Sequence, residues 1–129
     1  MTSKIELPDA FIDDRGIIQP IAKDIFNDVA LIKSNKGSIR ANHYHKTDSH
    51  LSYVVSGKIK YLSREVGSQT PPVMEYMNPG DLFYTPSLLE HLMYFEEDTV
   101  FINISNNKRD HLDYEQDLIR VNLDKFVWN

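Results

Sequence analysis

Hydrophobic and polar positions along the chain change in short runs, most alternating with period two, and a turn signal closes each run. Strand-like runs fall at residues 17–21, 29–33, 38–45, 51–55, 58–64, 73–77, 81–85, 91–95, 99–105 and 118–123. They are rich in the β-branched and aromatic residues that suit a pleated, half-buried surface. The punctuation between them is Asp-Arg-Gly, Asn-Lys-Gly, Ser-Gly, Gly-Ser-Gln-Thr-Pro-Pro and Asn-Pro-Gly, all turn formers. Many short strands at this spacing predict an all-β sandwich or small barrel. Helical periodicity is confined to single turns near residues 23–27 and 110–115. There is no linker, repeat or low-complexity tract, so residues 1–129 read as a single domain.

Three local expectations follow from the pattern. Residues 51–55 and 58–62 are joined by Ser56-Gly57, which reads as a tight hairpin with Gly57 supplying the positive φ. Residues 46–49 read as a polar connection that brings a second strand, headed by His50, alongside the first. The C-terminal run 118–128 alternates well enough to lie on a sheet edge, which a partner subunit or the chain's own sheet must then cover.

Composition narrows the function classes. A chain of 129 residues is long enough to bury a core. With no cysteine, disulfides, thiolate metal sites and a cysteine nucleophile are excluded. The net charge of −5 and the scattered lysines form no basic stripe, which argues against nucleic acid. Residues 1–6 lack the apolar stretch of a signal peptide, and no segment approaches membrane-spanning length. A cytoplasmic protein with no membrane contact is the expectation.

Chemistry concentrates in the histidines. Four of the five, His43, His45, His50 and His91, sit among Gly37, Gly57, Gly80 and Pro86. His43 and His45 are two apart on a predicted strand and so share a face, with Tyr44 turned away. Neutral imidazole is both a common metal ligand and a proton carrier near neutral pH. The fifth, His111, lies in a polar segment and reads as solvent-exposed.

The spacing of these residues resembles the two motifs of the cupins. The first motif, G-x5-H-x-H-x4-E-x6-G, is matched from Gly37 to Gly57 with His50 in place of the glutamate. The second, G-x5-P-x-G-x2-H-x3-N, is matched by Gly80, Pro86 and His91, with Leu88 for the glycine and Phe95 for the asparagine. The resemblance implies a cupin double-stranded β-helix, a jelly-roll β-barrel, commonly assembled as a homodimer. Carried over by position, it implies His43, His45, His50 and His91 as ligands of one divalent transition metal ion. Imidazole suits zinc, iron, nickel and copper alike, so the ion's identity stays open. His50 is either a fourth ligand or a hydrogen-bonding group behind the ligands.

Two further segments, Phe11-Ile12-Asp13-Asp14-Arg15-Gly16 and Arg40-Ala41-Asn42-His43-Tyr44-His45-Lys46, look like those of cupins in nucleotide-sugar and capsular-polysaccharide metabolism. That implies a small-molecule substrate such as a sugar nucleotide. The leading expectation is a metal-binding isomerase or epimerase in which Tyr53 or Tyr61 serves as acid or base near the substrate carbonyl. Arg40, Tyr76, Tyr84 and Met93 are further candidates for the lumen wall. In the ketoisomerases of that group the same histidines transfer protons without a metal. The alternatives are a non-haem dioxygenase or lyase acting on a small enolisable substrate, and a ligand-binding cupin without catalysis.

Overall fold

The computed structural model describes residues 2–24, 26–107 and 115–128. Its strands are β1 (Phe11–Asp13), β2 (Gly16–Ile18), β3 (Asp28–Ser34), β4 (Ile39–His45), β5 (His50–Ser56), β6 (Ile59–Glu65), β7 (Val73–Met77), β8 (Leu82–Thr85), β9 (Leu89–Phe95), β10 (Thr99–Ser105) and β11 (Leu118–Arg120). A short 3-10 helix spans Leu123–Phe126. One sheet has the order β3-β10-β5-β8 and the other β11-β4-β9-β6-β7, while β1 and β2 pair only with each other. All pairs are antiparallel, and the two large sheets face each other as a jelly-roll sandwich.

Alternation along each strand decides what lies between the sheets. Val54, Ile59, Tyr61, Met77, Phe83, Phe95 and Phe101 form a core that fills part of the interior. The outer face of the β5 sheet is covered by the N-terminal segment: Leu7, Ile21 and Phe26 pack on Leu51, Leu82 and Ile104. The outer face of the β4 sheet is covered by the C-terminus, where Leu123 and Val127 pack on Leu62 and Leu92. Residues 3–5 also pair with the open edge of β8, through Ile5 N–H to Leu82 O at 2.9 Å and Tyr84 N–H to Ser3 O at 3.0 Å.

Most strand positions agree with the sequence pattern, and two of the expected connections do not. Gly57 does adopt a positive φ of 94°, but β5 and β6 belong to different sheets, so Ser56-Gly57 is a crossover and not a hairpin turn. Likewise β5 does not lie alongside β4. It stands in the facing sheet, so His50 approaches the other histidines across the interior. Within residues 46–49 the second half is interior, with Asp48 at 2% exposure and Ser49 at 7%. Of the C-terminal run only residues 118–120 are strand, and these pair with the chain's own β4. The run then leaves the edge as the 3-10 helix because Leu123 and Val127 find burial on the outer face. His111 and most of the helical turn expected at 110–115 lie outside the described residues.

Candidate functional site

β4 and β9 are neighbours, and their register sets His43 directly opposite His91. Two residues on, His45 shares the same inward face, and His50 opens β5 on the facing sheet. All four imidazoles are buried, at 6, 1, 6 and 4% exposure for His43, His45, His50 and His91. Ring centroids are 4.7 Å apart for His43–His45, 4.9 Å for His43–His91 and 4.6 Å for His45–His50. One ligand atom from each of His43, His45 and His91 falls within 4.8 Å of the others, and the same holds for His45, Asp48 and His50.

The outward nitrogens are held by oxygen atoms. His45 Nδ1 lies 3.1 Å from Asp117 Oδ2, His91 Nδ1 lies 2.9 Å from the Leu89 carbonyl, and His50 Nδ1 lies 2.7 Å from Asn103 Oδ1. An oxygen acceptor at Nδ1 fixes the proton there and leaves Nε2 to meet a ligand, the usual support of a metal-binding histidine. His50 differs: its Nε2 lies 3.0 Å from Asp48 Oδ2, so both of its nitrogens face oxygens of the protein. Asn103 is in turn tied to Ser52, its amide donating to Oγ at 3.0 Å.

Electrostatics favour the neutral form of His45 and His91. Burial holds His91 well below the ordinary 6.5, and positive charge on neighbouring His43 pushes the same way. Burial also lowers His45, followed by the charge of His50, and the nearby Asp48 and Asp117 only partly offset this. Burial pushes Asp48 and Asp117 upward, but hydrogen bonds from His50 and the Asn107 N–H for Asp48, and from Thr47 for Asp117, hold both carboxylates below their ordinary value.

The histidines line an interior cavity of about 130 Å³, together with Arg40, Ser52, Thr85, Met93 and Asn103. A more open cavity of about 300 Å³ adjoins it, sharing Arg40, Ala41 and His43 and adding Glu115 and Arg120 at the surface. The larger groove near Pro86 and Leu88, about 750 Å³, is lined by no histidine.

Of the residues expected from sequence, the structure brings together all four histidines, Arg40 and Met93. Tyr61 is fully buried, with its hydroxyl 2.7 Å from Thr85 Oγ1 and its ring stacked on His91 at 6.3 Å. Burial raises the Tyr61 phenol above its ordinary value, against the opposing pull of Thr85, so it stays protonated, and it stands behind Thr85 and His91 without lining the cavity itself. Tyr53 is not at the site: period two turns it to the outer face of β5, where it packs with Leu51 and Leu82. Tyr76 and Tyr84 are 37% and 43% exposed and line neither histidine cavity. Sequence reasoning missed Asp48, Asn103 and Asp117. The apolar flanks of Asn103 were a usable signal for a buried amide, whereas nothing local marks Asp117.

Leu88, which stands where the motif has glycine, adopts the left-handed conformation that glycine takes most readily, with φ at 63°. Its N–H donates to the His45 carbonyl at 2.8 Å, tying the loop before His91 to β4.

No protein-family model matches the chain, and no curated protein matches it. Solved structures do match. The sugar 3,4-ketoisomerase QdtA from Thermoanaerobacterium thermosaccharolyticum, solved in complex with TDP, superposes with a TM-score of 0.70 at 22% identity, over 91% of this chain and 88% of that one. The dTDP-6-deoxy-D-glucose-3,5-epimerase RmlC from Legionella pneumophila, in complex with dTDP-4-keto-L-rhamnose, gives a TM-score of 0.68 at 19% identity, over 88% and 69%. The capsular polysaccharide assembling protein CapF from Staphylococcus aureus gives 0.66 at 24% identity, over 90% of this chain and 34% of that one.

Proposed function

We propose that this chain, which has the cupin fold, is a sugar-nucleotide isomerase or epimerase whose working groups are His43, His45 and His91. One observation carries the reading: three buried imidazoles converge on one interior cavity, and the protein's own oxygens hold the outer nitrogens of His45 and His91. The matched ketoisomerase and epimerase support the substrate class.

The donor set fits a divalent transition metal ion. His43, His45 and His91 would hold it, and it would supply Lewis-acid stabilisation of charge developing on a substrate carbonyl. His50 is the weakest of the four expected ligands, since Asn103 and Asp48 already engage both of its nitrogens. His43 lines both cavities and therefore stands where a sugar entering from the mouth meets the interior. The inner cavity is below the usual size of a small-molecule pocket, about 300–1,000 Å³, and reaches that range only with its mouth. The sugar ring accordingly sits inside and the nucleotide outside. Where no metal occupies its nitrogen, an imidazole at this junction removes the proton beside the sugar carbonyl and returns it to the carbonyl carbon while the hydroxyl proton passes between the two oxygens, and return to the opposite face takes a second acid. Tyr61 contributes by orienting the Thr85 hydroxyl, and Tyr53 takes no part.

A second reading has its own support: burial holds His45 and His91 neutral, as proton transfer without a metal would require. A homodimer belongs to the proposal as well, supported by the apolar surface left open at Phe11, Ile12, Ile17 and Ile18 of the hairpin and at Val29 and Leu31 of β3. Among the described residues no helix is long and apolar enough to cross a membrane.

The test is elemental analysis of wild type and His43→Ala, together with incubation of TDP- and UDP-linked 4-keto sugars in deuterium oxide. The expected result is about one equivalent of metal, lost in the variant, and deuterium incorporation by wild type alone. Protein that cannot be loaded with metal yet exchanges the proton establishes the second reading. Absence of both exchange and binding overturns the enzyme proposal.

A further inference from the structure

Arg40, His43 and His45 all line the inner cavity, yet Arg40 and His43 are an odd number of residues apart. A regular strand puts residues an even number apart on one face, so β4 must break its period between them. The ladder with β9 records the break. Ile39, Arg40 and Ala41 pair with Tyr94, Met93 and Leu92, and then His43 pairs with His91. An unbroken ladder would set Asn42 opposite His91 and turn His43 outward, opposite Glu90. The extra residue is absorbed by two consecutive left-handed residues, Ala41 at φ 66° and Asn42 at φ 60°. Asparagine tolerates that region, alanine much less, so the pair needs outside support.

The support comes from the far end of the chain. The Val121 N–H donates to the Asn42 carbonyl at 3.0 Å, and the Leu123 N–H donates to Asn42 Oδ1 at 2.8 Å. The Asn42 amide in turn donates to Asp124 Oδ1 at 3.2 Å. That segment is itself anchored. Leu123 and Val127 are fully buried against Leu62 and Leu92, the Val127 carbonyl accepts from the Lys60 ammonium, and Trp128 stands edge-on to Tyr94 at 4.9 Å. Leu92 is also the ladder partner of Ala41, so the same packed face lies directly behind the bulge.

We propose that Asn42 and residues 121–127 form a positioning clamp that locks the left-handed bulge and thereby aims His43 into the site. Asn42 touches no reacting atom and acts through His43. The functional part of this inference rests on His43 being a working group as proposed above, whereas the geometric part does not.

The experiment reads both parts on the full chain. Cross-strand proton contacts between the backbones of residues 43 and 91, measured by NMR on metal-free protein, report the bulge. Zinc affinity reports the aim of His43. Asn42→Ala is expected to lose the 43–91 contact and about ten-fold in zinc affinity. Asn42→Asp alone sets two carboxylates together at Asp124 and is expected to do the same. Combining it with Asp124→Asn reverses the polarity of that hydrogen bond and is expected to recover both readouts. An Asn42→Ala protein that keeps the 43–91 contact and wild-type zinc affinity, losing only thermal stability, overturns the clamp. Should Asn42→Ala fail to fold, the aspartate pair decides: no difference between Asn42→Asp and the double variant overturns it equally. If wild type binds no zinc, the proposed function loses its metal, and the NMR contact still judges the clamp.

Discussion

Replacing Asp117 by asparagine is the sharpest test of how the site is held. Its carboxylate gathers the loop after β4: Oδ2 lies 3.1 Å from His45 Nδ1 and accepts from the Asp48 N–H at 3.1 Å. Oδ1 accepts from the Thr47 N–H at 2.9 Å and from the Thr47 hydroxyl at 2.7 Å. Asparagine has the same shape, but only one of its two ends accepts. If the amide oxygen serves Thr47, the amide NH₂ confronts the Asp48 N–H and His45 Nδ1. His45 must then move its proton to Nε2, where it blocks a ligand. If the amide is turned over, its NH₂ confronts the Thr47 N–H instead. Hydrogen bonds to a charged acceptor contribute about 1.5–3 kcal/mol each, and either orientation loses one of them at a side chain only 11% exposed. The expected destabilisation of metal-free protein is therefore about 1.5–3 kcal/mol, read by urea unfolding in chelator. In the first orientation the loss of the histidine's outer acceptor lowers metal affinity about 10–100-fold, which is about 1.4–2.7 kcal/mol, whereas the second keeps that acceptor. Asp117→Ala has no acceptor in either orientation, so an alanine variant that binds zinc as tightly as wild type would refute the idea that this carboxylate sets the His45 tautomer.

Other expectations follow from backbone geometry and burial. At Gly57 a Cβ would meet Thr99 Oγ1 at 2.3 Å, the Asp98 carbonyl at 2.5 Å and Thr99 Cα at 2.6 Å, whereas at Gly67, with nearly the same φ, it meets nothing within 4 Å. Gly67→Ala should therefore lose about 1–2 kcal/mol from conformation alone, and Gly57→Ala at least about 2 kcal/mol more; equal urea midpoints would sink the steric argument. Leu88 is 54% exposed at φ 63°, so Leu88→Gly relieves about 1–2 kcal/mol of strain against about 0.5–1 kcal/mol of added chain entropy. A raised urea midpoint is expected, and a lowered one would mean that the leucine side chain contributes more than its exposure suggests. His45 and His91 titrate below 6.5 when folded, so the unfolded chain takes up their protons first as pH falls. Their contribution is complete above about pH 6.5 and is lost as pH falls toward the folded values, which makes metal-free protein less stable at pH 5 than at pH 7.5. A midpoint that holds level or rises on acidification would contradict this.

The division between sequence and tertiary structure follows from the range of the interactions involved. Strand positions were legible because alternation is a local property, and β7 and β10 coincide with runs 73–77 and 99–105. The histidine set was legible because a strand places His43 and His45 on one face whatever lies opposite. Partners were not legible. Ser56-Gly57 has the chemistry of a hairpin turn, but Gly57 lies against Thr99 and the chain passes into the other sheet, a choice made by long-range packing. Tyr53 and Tyr61 look equivalent in sequence. Strand parity alone sends one outside and the other beneath His91, and that parity is known only once the interior face of each strand is known. The roles of Asp48 and Asp117 arise from hydrogen bonds to residues on other elements, 107 on one side and 45 and 47 on the other. The inward turn of His43 depends on a bulge held by residues some eighty positions away. The chain's pattern thus determined its strands, its fold class and its candidate histidine set, because each follows from neighbours in sequence. The tertiary structure decided sheet membership, the tautomer-fixing partners and the aim of His43, because those depend on groups that meet only after folding.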